Sequence, residues 1–289
     1  MIKIFNDYTE DGLKLPIIHF ESGNKDVCVI CVHGMSGNIL ENIFGQIWGS
    51  VLSDSNIDFI YGHNRGHSHL NDIECKSGDF KRIGVTYEIF DECLYDVDLF
   101  VSKAKELGYK RIILLGHSLG CNKVIYYMYN QYLQNKSDVA GIILASAPDL
   151  RGKMQLSIKE KYDELVNEAT QNIESGKPRK LLSEEIYGWY KLSSQTFLSL
   201  YGENSNCNNL PIKDKKEEFV QLNKISVPIL TFSGSKEHSI YHNLEYLKTK
   251  ATACLNFDLH IIEDTGHTYV EKEEEIANLI IDWIQRNFK

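Results

Sequence analysis

The chain has 289 residues, 43% of them hydrophobic, 25% charged and only 5 of them proline. These proportions belong to an ordinary globular protein and exclude a disordered chain, a collagen-like repeat and a small disulfide scaffold. Lys and Arg total 31 against 40 Asp and Glu, a formal charge of −9, and such a surface repels phosphate backbones and anionic headgroups, so nucleic acid and membranes are poor partners.

Taken in chain order, MIKIFNDYTEDG carries no basic stretch followed by an apolar core, so no secretory leader is expected. Residues 2–5 and 13–21 look like edge strands, most simply antiparallel. Residues 27–32, 57–61, 111–115, 139–145, 228–232 and 256–262 are strand candidates, most of them nearly continuous apolar runs, as expected of strands covered on both faces. Helical patterns lie between them. In 87–107 the apolar positions Phe90, Cys93, Leu94, Val97, Val101 and Ala104 recur at steps of three and four, and 273–288 repeats that pattern behind an acidic start. Alternating strands and helices predict a mostly parallel sheet with crossover helices.

The alternation stops once. Between 150 and 226 no strand is convincing, whereas a helical stripe runs from Ile158 to Ile173 and an aromatic-rich helix is expected over 184–201. Residues 151–225 therefore read as a helical lid inserted between the sixth and seventh core strands of one domain formed by 1–150 and 226–289. Seven cysteines, an odd number without disulfide-like spacing, fit a reducing cytoplasm. Cys28 and Cys31 form a C-x-x-C, but in a strand these positions face opposite ways and make no dithiol.

The chemistry concentrates at strand ends. The run RIILL leads into Gly116-His117-Ser118-Leu119-Gly120 and an apolar helix, which places G-x-S-x-G between a buried strand and a helix. Glycines permit a turn too tight for side chains, and the turn presents Ser118 as a nucleophile with the Leu119 N–H beside it. Such a serine needs a base, and the expected order is Ser, acid, His. His267, in the loop after the last strand, is the candidate base. Glu237, in Gly234-Ser235-Lys236-Glu237, is the preferred acid, with Asp149 in Ser146-Ala147-Pro148-Asp149 as its competitor. The loop His33-Gly34-Met35-Ser36-Gly37-Asn38 follows the 27–32 strand, so the Met35 N–H is the second expected oxyanion donor.

Together with Asn64-Arg65-Gly66-His67, these motifs resemble the α/β-hydrolase superfamily over nearly the whole chain. The detailed pattern is similar to a subgroup that includes siderophore ester hydrolases of fungi, and more loosely to cinnamoyl-ester and monoacylglycerol hydrolases. The resemblance implies an eight-stranded, mostly parallel sheet flanked by helices and a hydrolase. His63, His67 and His69 sit in its Arg-Gly loop, with no Cys or carboxylate at convincing metal-ligand spacing.

The reading is a serine hydrolase of carboxylic esters with Ser118, His267 and Glu237 as triad. It needs no cofactor or metal, and its partner is a small-molecule ester, neutral or cationic given the charge. The alternatives are a thioesterase, a serine aminopeptidase using Glu184 or Glu185 to hold an amine, and a ligand-binding protein of the same fold.

Overall fold

A computed structural model describes residues 1–237 and 243–288. Its elements in chain order are β1 (Ile2–Tyr8), β2 (Lys14–Phe20), β3 (Val27–Val32), α1 (Ile43–Asp54), β4 (Asp58–Gly62), β5 (Asp72–Glu74), β6 (Phe80–Arg82), α2 (Cys93–Glu106), β7 (Arg111–His117), α3 (Leu119–Leu133) and β8 (Gly141–Ala145). There follow α4 (Leu150–Ile158), α5 (Glu160–Glu174), α6 (Ser194–Tyr201), β9 (Ile229–Gly234), α7 (Leu244–Lys250), β10 (Phe257–Ile262) and α8 (Glu273–Asn287).

Eight strands form one sheet in the order β1-β2-β4-β3-β7-β8-β9-β10, and β5 and β6 pair as a separate hairpin. The pairings β1–β2 and β2–β4 are antiparallel, and the rest of the large sheet is parallel. The edge strands thus pair antiparallel as the sequence suggests. Strand β3 shows why the middle of the sheet reads as unbroken apolar sequence. It is buried at every position, with Cys28, Ile30 and Val32 in the core beneath α2 and α3, and Val29 and Cys31 in the core that holds Trp48 of α1 and Trp283 of α8. The two cysteines therefore lie on opposite faces of the sheet.

Two expectations change, and one helix lies where the sequence reading names no element. The first helix of the middle region begins at Cys93 rather than 87, after a 3-10 turn at Phe90–Glu92. The aromatic stretch is helical only from Ser194, where the Ser193 hydroxyl caps the helix by accepting the Thr196 N–H. Before it the chain folds into a tight turn, with Ile186 and Tyr190 bridged and Tyr187 and Gly188 both at positive φ. Helix α1 is the unannounced one. Its glycines weaken the helical signal, yet they let α1 lie close on the sheet: a Cβ at Gly49 would meet the Phe20 ring at 2.6 Å, and one at Gly45 the Tyr61 ring at 2.8 Å.

Helices α4, α5 and α6 share a third apolar cluster, which includes Met154, Leu165 and Phe197 and reaches Leu119 at the start of α3. That cluster lies over the carboxyl ends of the central strands, where open α/β sheets place their ligands. No helix among the described residues is long and apolar enough to cross a membrane.

A buried polar knot ties β2 to β4. The Asp58 carboxylate is fully buried and accepts from the Ser22 N–H at 2.8 Å, from the Ser22 and Tyr109 hydroxyls, and from His19 Nε2 at 3.3 Å. Burial pulls its pKa up, but the hydrogen bonds from His19, Ser22 and Tyr109 outweigh it and hold the carboxyl below the usual range. A depressed pKa stabilises the fold above the ordinary value near 3.8 and loses that contribution as the pH falls. Asp58→Asn should therefore cost about 2 kcal/mol at neutral pH, and urea titrations should show the gap from wild type narrowing below about pH 4.

Candidate active site

One residue separates β7 from α3, and that residue is Ser118. Its φ of 54° and ψ of −125° lie where non-glycine residues are held only by surrounding structure, at a cost of about 1–3 kcal/mol. The neighbours impose it. The Ser118 N–H donates to Ala145 O at 2.9 Å and its carbonyl accepts the Cys121 N–H at 2.8 Å. A Cβ at Gly120 would stand 2.0 Å from Val32 O, and one at Gly116 2.5 Å from the Gly120 carbonyl. Helix α3 therefore begins directly after the serine, with Leu119 as its first residue.

The loop after β3 is fixed just as tightly. His33 Nδ1 donates to Gly34 O at 2.7 Å and the Gly37 N–H donates to the same oxygen at 3.3 Å. Because a trans peptide directs its C=O and N–H oppositely, holding the Gly34 carbonyl also sets the direction of the Met35 N–H. Gly34 packs on the serine itself, since a Cβ there would lie 2.8 Å from Ser118 Cβ.

Beyond β9 and β10 the two sequence-predicted partners meet. Glu237 Oε2 lies 2.7 Å from His267 Nδ1, with the carboxylate 5% and the imidazole 42% exposed. The other oxygen, Oε1, accepts the Ser146 hydroxyl at 2.5 Å and the Gly234 N–H at 3.0 Å. The Ser146 hydroxyl is spent on Glu237, so Ser146 Oγ accepts from the Tyr269 hydroxyl, its second neighbour. Burial pushes the Tyr269 phenol well above its ordinary pKa, which keeps that proton in place. His117 Nε2 donates to the His267 carbonyl at 2.8 Å. Ser146, Tyr269 and His117 thus brace the pair, and the motifs alone do not name them for it. The one available signal was a serine in the first position past β8.

Asp149 lies elsewhere. It is 2% exposed, and its carboxylate accepts the Gly152 N–H at 2.7 Å as N-cap of α4 and the Lys213 N–H at 2.6 Å. It lines a separate cavity of about 310 Å³. A cavity of about 350 Å³ brings Ser118, His267 and Met35 together under Leu150, Tyr187 and Trp189. Trp189 is 70% exposed at its mouth. Glu184 and Glu185 line a neighbouring cavity, which shares Tyr187 but not Ser118.

The histidine run supports the oxyanion-side loop. His33 Nε2 accepts the Asn64 N–H at 2.9 Å, His63 Nε2 accepts the Ile39 N–H at 3.0 Å, and His67 Nδ1 donates to Asn64 O at 2.8 Å. Rings 63 and 67 stack 5.2 Å apart, and His69 packs on Tyr190 instead. Burial lowers the pKa of all three supporting histidines, and burial with the neighbouring His67 brings His63 to about 4. A histidine held neutral in the fold takes up protons on unfolding, so its contribution is complete above its ordinary value near 6.5 and is lost as the pH falls toward 4. Urea unfolding should show wild type less stable at pH 5 than at pH 7.5, with His63 contributing roughly 1–2 kcal/mol of the difference after allowing for solvent screening. His63→Gln, which keeps an acceptor for Ile39, should shrink that difference.

A family model described as "Protein of unknown function (DUF1749)" matches residues 91–284, a span that holds Ser118, Glu237 and His267 and excludes Met35. A search of curated proteins finds no match. Among solved structures, the esterase Pf2001 of Pyrococcus furiosus superposes with a TM-score of 0.66 at 16% identity, covering 100% of this chain and 92% of its own. Est1E of Butyrivibrio proteoclasticus, solved with ferulic acid, gives 0.62 at 14% identity, covering 96% of each chain. A soluble variant of the monoglyceride lipase of Saccharomyces cerevisiae, solved with a substrate analogue, gives 0.64 at 13%, covering 100% and 96%. At these identities the likeness is one of fold: the chain has the α/β-hydrolase fold, as its sequence motifs imply.

Proposed function

We propose that this chain, which belongs to the DUF1749 family of proteins of unknown function, hydrolyses carboxylic esters through an acyl-enzyme formed on Ser118. The observation that carries the reading is the convergence of a strained serine at a strand–helix turn and a histidine held at Nδ1 by a buried glutamate, both lining one cavity.

In this reading Ser118 Oγ attacks the ester carbonyl while His267 Nε2 takes its proton. Glu237, bonded at Nδ1, fixes the tautomer and stabilises the imidazolium. The Met35 and Leu119 N–H groups receive the oxyanion. Collapse of the tetrahedral adduct breaks the bond to the alcohol oxygen, which leaves with the proton returned by His267. Water then repeats the sequence on the acyl-enzyme, releasing the acid and restoring Ser118. We read residues 151–225 as the lid. Leu150 just before them, with Tyr187 and Trp189 from within, forms the cavity wall facing the nucleophile, and the apolar and aromatic lining suits the hydrocarbon part of a small ester. The aminopeptidase alternative loses support, because Glu184 and Glu185 line the neighbouring cavity.

A fluorophosphonate should label the wild-type protein at Ser118 and leave Ser118→Ala unlabelled; equal labelling of both would overturn the assignment. Steady-state hydrolysis of aryl esters separates the two acids. Glu237→Ala should lower kcat/KM by about 10³–10⁴, whereas Asp149→Ala should leave kcat/KM within a few-fold and lose about 1 kcal/mol of stability with its helix cap. Ser146→Ala removes one donor from Glu237 and should lower kcat about tenfold.

A further inference from the structure

The cavity beside Ser118 is apolar over most of its wall, yet it holds a cation. Lys153, on α4, lines it with Ser118 and His267. The side chain is partly buried, its Nζ lies 5.2 Å from the centre of the Tyr187 ring, and the ring face favours a positive charge there. Burial lowers the lysine pKa, and the charge of Glu237 opposes that shift. A second donor stands on the same wall: Tyr190 is 6% exposed, and its hydroxyl has no hydrogen-bond partner among the described residues. A buried hydroxyl without an acceptor is destabilising, and a ligand oxygen supplies the missing partner.

We infer that this cavity selects esters whose non-scissile end carries a carboxylate, received by the Lys153 ammonium and the Tyr190 hydroxyl. The ammonium offers donors only, and the unpartnered phenol of Tyr190 has a proton to donate, so their shared complement is an acceptor-rich, anionic group. One cation matches one carboxylate; a phosphate dianion calls for a larger donor set. The carboxylate that lines the cavity, Glu41, is exposed at its mouth, where water screens it, while Lys153 acts from the partly buried wall at lower effective dielectric. The net charge of −9 favours neutral or cationic esters only as a property of the whole surface. Inside the cavity Lys153 adds a charge of the opposite sign. The inference rests on Ser118 being the nucleophile.

The test uses the full chain and two alkyl fluorophosphonates of equal length, one ending in a carboxylate and one in the corresponding methyl amide. The readout is the ratio of their labelling rates at Ser118, which requires a reactive serine but no turnover. In wild type the carboxylate probe should react about tenfold faster, the equivalent of one charge-assisted hydrogen bond. The ratio should fall to near one in Lys153→Met, reverse in Lys153→Glu, persist in Lys153→Arg and shrink two- to threefold in Tyr190→Phe, on the order of a weak hydrogen bond. A wild-type ratio of one or less, or a ratio unchanged in Lys153→Met, overturns the inference while leaving the hydrolase reading intact. If neither probe labels Ser118, the hydrolase reading falls and this one with it.

Discussion

The geometry around Ser118 depends on one close approach of backbone to backbone. Strands β3 and β7 run side by side, and the loops that leave them press together with no room for a side chain between: Gly120 against the Val32 carbonyl, Gly34 against Ser118 itself. This contact forces the serine into its left-handed conformation and starts α3 immediately behind it, while the hydrogen bonds of His33 and Gly37 to the Gly34 carbonyl set the peptide plane that carries the Met35 N–H. A strained residue persists only where its surroundings over-determine it. Here the surroundings are backbone, so relaxing the serine would mean separating the two central strands.

The second half of the site is built by a different means. Glu237 and His267 come from loops after β9 and β10, and those loops are laced by backbone hydrogen bonds, among them Ser235 N–H to Ile262 O and Lys236 N–H to Thr265 O. Ser146, at the end of β8, then reaches across to the glutamate, and Tyr269 anchors that hydroxyl from within the aromatic core of Phe44, Trp48 and Phe232. The second loop, around Arg65, is held by charge. The buried guanidinium pairs with Asp96, Asp11 and Glu92, and close by Lys123 pairs with Glu88 without exposure of either. Buried ion pairs add little net stability, but losing one partner is costly, so they fix the position of the loop more than they strengthen the fold.

What the sequence made legible follows from how local each feature is. Strands β3, β4, β7, β8 and β9 are apolar in sequence because they are covered on both faces, so burial and pattern coincide; β10, at the edge of the sheet, is only partly buried. Ser118 stands in a motif whose meaning comes from the strand before it and the helix after it, all within a few residues. Helix α1 escaped because Gly45 and Gly49, which weaken a helix in isolation, serve its packing against Tyr61 and Phe20. The aromatic stretch near Tyr187 misled for the opposite reason: its spacing suits a helix, but Gly188 turns the chain and Ser193 sets the true start. Ser146, Tyr269 and Lys153 were not legible as site residues. Each gains its role from neighbours far away in sequence, and no spacing rule carries that information.

The chain has three tryptophans, and their placement is uneven. Trp48 and Trp283 are fully buried on the two helices that cover one face of the sheet, whereas Trp189 is 70% exposed at the mouth of the serine cavity. Indole emission shifts with the polarity around it, so the red edge of this protein's fluorescence belongs mainly to one residue. A collisional quencher such as iodide reaches that residue and leaves the other two untouched. The fold thereby carries a native optical probe at its cavity entrance, silent about the core and sensitive to whatever enters.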